Sequence, residues 1–192
     1  MKTGYYVSMH AEVLGDAVTP SSENIIEANR TPILLLRASK AGIATLPYLV
    51  TGSVKQILTE TAFPLVVFPV NPFSYSGYKT AKNRSSLYRA VKSLSMNYKF
   101  PVCAEPMKGE MVTFKSMFGR CEGQPENVRR LSEKVHEVFR IPICKLHVQR
   151  VEDEVFLCGL QPLDKAEILP HDLELIRNKI SGMSDAGVHL VG

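Results

Sequence analysis

Phe63–Glu110 reads FPLVVFPVNPFSYSGYKTAKNRSSLYRAVKSLSMNYKFPVCAEPMKGE, and this stretch decides the fold. Phe63 to Val70 is apolar, β-branched and bounded by prolines, which predicts a buried strand rather than a helix of that length. Asn71 to Asn83 reads as a loop carrying Gly77 and the hydroxyls of Ser74, Tyr75 and Ser76. Ser85 to about Met96 is a helix. Leu87, Ala90, Val91 and Leu94 recur at helical spacing, and Arg84, Arg89 and Lys92 are left for solvent. Phe100 to Glu105 returns as a second strand. Strand, small-residue loop, helix, strand is one way to build a phosphate site. Loop amides can cradle anionic oxygens, and Gly77 lets the backbone approach closely. Ser74 and Ser76 are candidate donors to such a ligand; a plain turn with capping serines is the competing reading.

Upstream, Tyr5 to Leu14 is predicted helical, with Tyr5, Met9 and Val13 on one line and Gly15 as a left-handed stop. Ala17 to Thr19 is a short connection or strand, and Pro20 to Ser22 open a second helix through about Ala28. Thr31 and Pro32, a hydroxyl cap followed by proline, start a helix that ends at Gly42. Ile43 to Val50 is extended and split by Pro47, and Ser53 caps a helix through about Thr59. Downstream, Met111 to Phe118 is a strand and Pro125 to Phe139 a strongly amphipathic helix with Val128, Leu131, Val135 and Val138 inward. Ile143 to Val151 alternates Cys144, Leu146 and Val148 against Lys145, His147 and Gln149, and pairs through a turn with Val155 to Leu160. A last helix runs from Pro170 to about Ile180, followed by a loose glycine-containing tail. The mixture places the chain in the α/β (α+β) class.

The 192 residues, 45% hydrophobic and 22% charged, suffice for a sizeable core and argue against wholesale disorder. A net charge of +4, without a Lys/Arg run or aromatics interleaved with basic residues, is no nucleic-acid signature. Cys103, Cys121, Cys144 and Cys158 form neither a C-x-x-C pair nor a zinc spacing, so they read as buried, reduced thiols. No apolar run reaches the length of a membrane span and no signal-peptide pattern opens the chain, so the expected location is the cytoplasm. Glu133 and His136 are half of a di-iron motif without its other half, and read as a solvated helix face. His147 reads as part of an exposed strand face. No nucleophile elbow is present, and Cys121 has no recognised histidine partner.

The order of elements over Thr31 to Glu110 resembles the ATP-grasp superfamily of carboxylate–amine ligases: LRASKAGIATLPYLVTGSVKQIL (Leu36 to Leu58), then FPLVVFPV, the small-residue loop, the helix, and PVCAEPMKGE. The opening GYYVSMHAEVLGDAVTPS (Gly4 to Ser21) and the ending FRIPICKLHVQRVEDEVFLCGLQPLDKAEILPHDL (Phe139 to Leu173) resemble the domain at the N-terminus of RimK-like ATP-grasp proteins. The resemblance implies a two-lobed arrangement with a short, degenerate second lobe. Its expected divisions are a helical lead-in over 1–45, a first lobe over 46–110, and a short second lobe with the tail over 111–192. It implies ATP as cofactor, with Ser74, Ser76, Gly77 and Lys79 toward the phosphates and Glu105 toward the amino group or ribose of a nucleotide at the hinge. A solvated loop lysine and a strand-end carboxylate in water are the competing readings of Lys79 and Glu105.

Two departures stand out. The strand lysine of the superfamily falls at Phe68, and the closing strand, which usually ends in metal-holding acidic and Asn residues, ends here in LCGLQPL, with Gln161 the polar side chain in place. Magnesium wants oxygen ligands, usually with a carboxylate, so its binding is in doubt, and with it the neutralisation of charge in phosphoryl transfer. The expectation is therefore a degenerate, non-catalytic domain that binds a nucleotide or a partner protein. The alternatives are a carboxylate–amine ligase with atypical or partner-supplied residues, and an interaction module that keeps only the fold. Families it resembles place a strand before the first helix. The expectation here is a late start, or a sheet edge covered by a protein partner or a second copy through the N-terminal region.

Overall fold

The computed structural model describes residues 3–71, 77–184 and 189–190. The chain opens with α1 (Thr3–Val13), a two-residue strand β1 (Val18–Thr19), α2 (Ser22–Asn29) and α3 (Thr31–Lys40). Ser21 caps α2 by accepting from the Asn24 amide at 3.1 Å. Thr31, expected as a cap, is already inside α3; its hydroxyl donates instead to the Pro69 carbonyl at 3.0 Å and fastens the helix to the central strand. Gly42, at φ +73°, ends the turn after α3 where a side chain would be strained.

The first lobe is a four-stranded antiparallel sheet. It contains β2 (Leu49–Thr51), β3 (Leu65–Pro69), β4 (Lys79–Ala81) and β5 (Val102–Pro106), in the order β2-β5-β3-β4. Helices α4 (Val54–Glu60) and α5 (Arg84–Leu94) cover one face. Leu65, Val67, Val102 and Ala104 meet Val54, Ile57, Leu87, Val91 and Leu94 there. The start of α5 is fixed by a reciprocal cap: Ser86 donates its amide to Asn83 Oδ1, and Asn83 donates its amide to Ser86 Oγ. The predicted loop thus contains a strand, β4, that pairs with β3 residue by residue. The helix stops at Leu94 rather than Met96, because Met96, Asn97 and Tyr98 all take positive φ. Phe63, expected in the core, lies before β3 and is 37% exposed.

The second lobe is a three-stranded antiparallel sheet, β6 (Glu110–Met117), β7 (Ile143–Val151) and β8 (Glu154–Pro162), with α6 (Glu126–Phe139) on one face. Phe114, Leu146, Val148 and Leu157 meet Val128, Leu131, Val135 and Phe139, and Leu34 and Ala38 of α3 join the same core. The other face of this sheet packs on the first lobe. There Val66, Phe68 and Cys103 meet Leu35 of α3 and Cys158 of β8. The strand β7 is therefore covered on both faces, and His147 and Gln149, expected on an exposed face, are buried. Alternation along one strand could not reveal the second layer. A 3-10 turn (Lys165–Glu167) leads into α7 (Pro170–Ser184), longer than predicted. Within the tail expected to be loose, β9 (His189–Leu190) pairs in parallel with β1.

Candidate functional site

Strand alternation on β3 sends Leu65 and Val67 to the helices and Val66 and Phe68 into the space between the sheets. The Phe68 ring lies 5.5 Å from Tyr78 and 6.1 Å from His147, and Tyr78 stands edge-on to His147 at 5.2 Å. These centroid separations are those of packed aromatic pairs. Opposite them, Gly159 of β8 supplies the room: a Cβ there would come within 2.9 Å of the Phe68 ring. An aromatic cluster fills the position at which the resemblance places a phosphate-binding lysine.

His147 is held on both nitrogens. Thr113 Oγ1 lies 2.8 Å from Nδ1, and Gln161 Oε1 lies 3.2 Å from Nε2. A neutral ring satisfies both, accepting from the threonine hydroxyl and donating to the amide oxygen. Burial pushes its pKa down to about 4; the Gln161 bond opposes this and the Lys145 charge adds to it, so the imidazole is uncharged at neutral pH. The two groups bonded to the His147 ring, the Thr113 hydroxyl and the Gln161 amide, are not carboxylates. They do not fit magnesium, which takes hard oxygen ligands and ordinarily a carboxylate among them.

Glu105 of β5 sits deeper, at the connection between lobes. It is fully buried, and apart from the Cys158 thiol beside it, which donates to the Phe156 carbonyl at 3.5 Å, neither carboxylate oxygen meets a hydrogen-bond donor. Burial raises its pKa to about 8, with the Cys158 thiol acting the other way, so the group is mostly the neutral acid at pH 7. Burial, with the Glu105 charge added, also pushes the Cys103 and Cys158 thiols up. Beside them the hinge is fastened by Gln149. Its Oε1 accepts from the amides of Lys108 and Gly109 at 2.8 and 3.3 Å, and its Nε2 donates to the Pro106 carbonyl at 3.0 Å. Gly109 is required at this crossing, since a Cβ would lie 1.9 Å from the Arg150 carbonyl oxygen.

Ser74 and Ser76 lie outside the described residues. Gly77 has φ +88° and faces Gln161 of the second lobe, 3.9 Å from where its Cβ would be. Lys79 is exposed and pairs across from Val67, so it shares the helix-covered side of the sheet, opposite to Phe68. Glu105 lies between the lobes but is enclosed rather than open to water. Tyr78, His147, Gln149 and Gly159 were not singled out as ligand residues from sequence. A signal existed in the pairing of Phe68 with Gly159, a large residue against an absent side chain, but it becomes visible only across the two sheets. Among the described residues, no group of three or more His, Cys, Asp or Glu is placed to hold a metal ion. No helix among them is long and apolar enough to cross a membrane.

Known proteins share this architecture. D-alanine–D-alanine ligase from Bacillus anthracis superposes with a TM-score of 0.71 at 16% identity, over 94% of this chain and 74% of that one. The Helicobacter pylori D-alanine–D-alanine ligase gives 0.65 at 18% identity, over 92% and 65%. A RimK domain ATP-grasp protein from Sphaerobacter thermophilus gives 0.67 at 14% identity, over 93% and 74%. At these identities the likeness is one of fold: an ATP-grasp ligase-like α/β architecture, of which this chain spans about two thirds to three quarters. No curated protein sequence matches the chain. The family model of the RimK-like ATP-grasp N-terminal domain matches residues 1–179, and the chain belongs to that family.

Proposed function

We propose that this chain is a non-catalytic ATP-grasp-like domain that serves a ligase system by binding a partner protein. The observation that carries this reading is the Phe68–Tyr78–His147 cluster packed over Gly159. Phosphoryl transfer needs fixed positive charge where the phosphoryl oxygens develop negative charge. Where the resemblance places a lysine, this chain has a phenyl ring packed against a phenol and a neutral imidazole. What remains for the domain is recognition by its surface. The N-terminal helix offers an apolar one: Tyr6, Val7, Met9 and Val13 are exposed on α1, followed by Leu14.

A second reading, that the domain holds a nucleotide without turning it over, is favoured by one observation. Glu105 has two buried oxygens that, the Cys158 thiol apart, meet no hydrogen-bond donor, and such atoms are costly unless something meets them. A nucleotide amino group would do so after the lobes part. Melting curves with and without magnesium and millimolar ATP separate the two. The partner reading expects no change in Tm. A nucleotide that binds only the folded state raises stability by about 2.7 kcal/mol at a hundred times its Kd. A rise that Glu105→Gln removes would replace the first reading with the second.

A further inference from the structure

The helix α5 buries Leu87, Ala90, Val91 and Leu94 and turns its other side to water, where Tyr88, Arg89 and Lys92 stand. The turn that follows is tied to the helix end. Asn97 donates its amide to the Lys92 carbonyl at 2.8 Å, Tyr98 donates its amide to Ser95 Oγ at 2.7 Å, and Phe100 donates its amide to the Ser95 carbonyl at 2.9 Å. The Tyr98 hydroxyl reaches back to the Tyr88 carbonyl at 3.5 Å. Tyr88, Met96, Tyr98 and Phe100 are 39 to 46% exposed on this one face. An open depression of about 770 Å³ lies among them, lined by Arg89, Lys92, Ser93, Met96 and Asn97. The charge here is of one sign. No acidic residue occurs between Glu60 and Glu105, while Lys79, Lys82, Arg84, Arg89, Lys92 and Lys99 are all exposed. These positive charges outnumber the net charge of the whole chain, +4. None of them makes an ion pair among the described residues.

We infer that the outer face of α5, with the turn from Met96 to Phe100, is a docking surface for an acidic segment of a partner protein, one that sets aspartate and glutamate around apolar side chains. The inference rests on the partner reading above and concerns a surface separate from that of α1. Charge complementarity names the sign of the occupant: unpaired cations of one sign steer and orient a chain of carboxylates. The side chains name its class. Tyr, Phe, Met and Arg side by side are the residues enriched at the centres of protein interfaces, where an apolar anchor from the partner is desolvated between them. Single-stranded nucleic acid would instead stack its bases on open ring faces. Here the Arg84 guanidinium lies 5.9 Å over the Tyr88 ring and the Lys99 ammonium 5.4 Å over the Phe100 ring, so a cation takes up one stacking face of each. Both rings keep their edges for apolar contact, and both cations stay at hand for a carboxylate.

The test titrates the whole chain into a fluorescein-labelled acidic peptide, EEDFLEEDFLEE, and reads anisotropy. Saturable binding is expected, weakened at least about tenfold by Arg89→Glu with Lys92→Glu, and likewise by Tyr98→Ser with Phe100→Ser. A second peptide with serine in place of each Phe and Leu should bind at least about tenfold more weakly than the first. Each variant is first checked for the parent's melting curve. Should the charge reversal fail that check, Arg89→Ala with Lys92→Ala takes its place and is expected to weaken binding in the same direction. No saturable binding of the first peptide by the parent, or equal binding by a folded charge-reversed variant, overturns the proposal. Equal binding of the serine peptide also overturns it, by reducing the face to a diffuse counter-charge. Polyuridylate, or vesicles of phosphatidylserine, bound more tightly than the peptide would replace the protein segment with a nucleic acid or a membrane. Failure of the peptide to bind, with the Tm unmoved by ATP, rejects this surface alone; the partner reading falls only with the ATP-dependent rise that Glu105→Gln removes.

Discussion

Glu105 makes the stability of this fold depend on pH in a direction opposite to most carboxylates. Its folded pKa is about 8 against an ordinary 4.5, so the folded state binds more protons than the unfolded one between those values. Its contribution is fully present below pH 4.5 and is lost as pH rises through about 8, with a slope approaching about 1.4 kcal/mol per pH unit. Glu105→Gln keeps the shape and removes the titration. Denaturant melts should find the two proteins about equally stable at pH 4, with the variant ahead by about 2 kcal/mol or more at pH 9. Parallel curves would mean that Glu105 meets water or a partner in solution. Phe68 behaves differently. Its ring is buried against Gly159, and Phe68→Ala should cost about 3–5 kcal/mol in the same melts. A loss under about 1 kcal/mol would show the aromatic cluster to be loosely packed.

At the scale of elements, sequence periodicity served well wherever one face is wet. The stripes of α5 and α6 fall on the predicted residues, and Leu87, Val91 and Leu94 are buried as expected. Leu94→Ala should therefore cost about 2–5 kcal/mol; a loss below about half a kcal/mol would reject the orientation of α5. What escaped sequence reading has a common cause. The strand β4 is three residues long with only Ala81 buried, and β7 alternates but is covered on both faces. A period-2 pattern reports side chains on opposite faces, not whether both faces are packed. The hinge escaped for another reason. Nothing in PMKGE announces that the glycine crosses the Arg150 backbone, since the two are 41 positions apart in sequence. Gly109→Ala places a Cβ 1.9 Å from that carbonyl oxygen and should cost about 2 kcal/mol or more, read by thermal melts. A neutral outcome would show that the lobes shift freely at this crossing.

At the scale of the molecule, the lead-in helices belong to the second lobe's core as much as to their own segment, because α3 sends Leu34 and Ala38 one way and Leu35 another. The order of elements was legible in sequence, and so was the apolar, buried character of the strand that carries Phe68. The packing of the two sheets against each other was not, because it rests on pairs such as Phe68 with Gly159 that lie far apart in the chain. The surface of α1 leads to an expectation of assembly. Val13 is 81% exposed and Leu14 67%, on a chain end with Tyr6 and Met9 also in water. Light scattering at high micromolar concentration should show self-association that Val13→Lys with Leu14→Lys relieves; a stable monomer would require a different partner for this face.

The most direct test of the account is ADP formation from ATP by the purified chain with magnesium and mixed amino acids. The packed aromatic cluster and the neutral His147, bonded to Thr113 and Gln161, predict no turnover above buffer. Steady, magnesium-dependent ADP formation that Lys79→Ala or Lys145→Met abolishes would contradict it, by showing that a lysine of this chain neutralises the phosphoryl group despite the packing seen between the lobes.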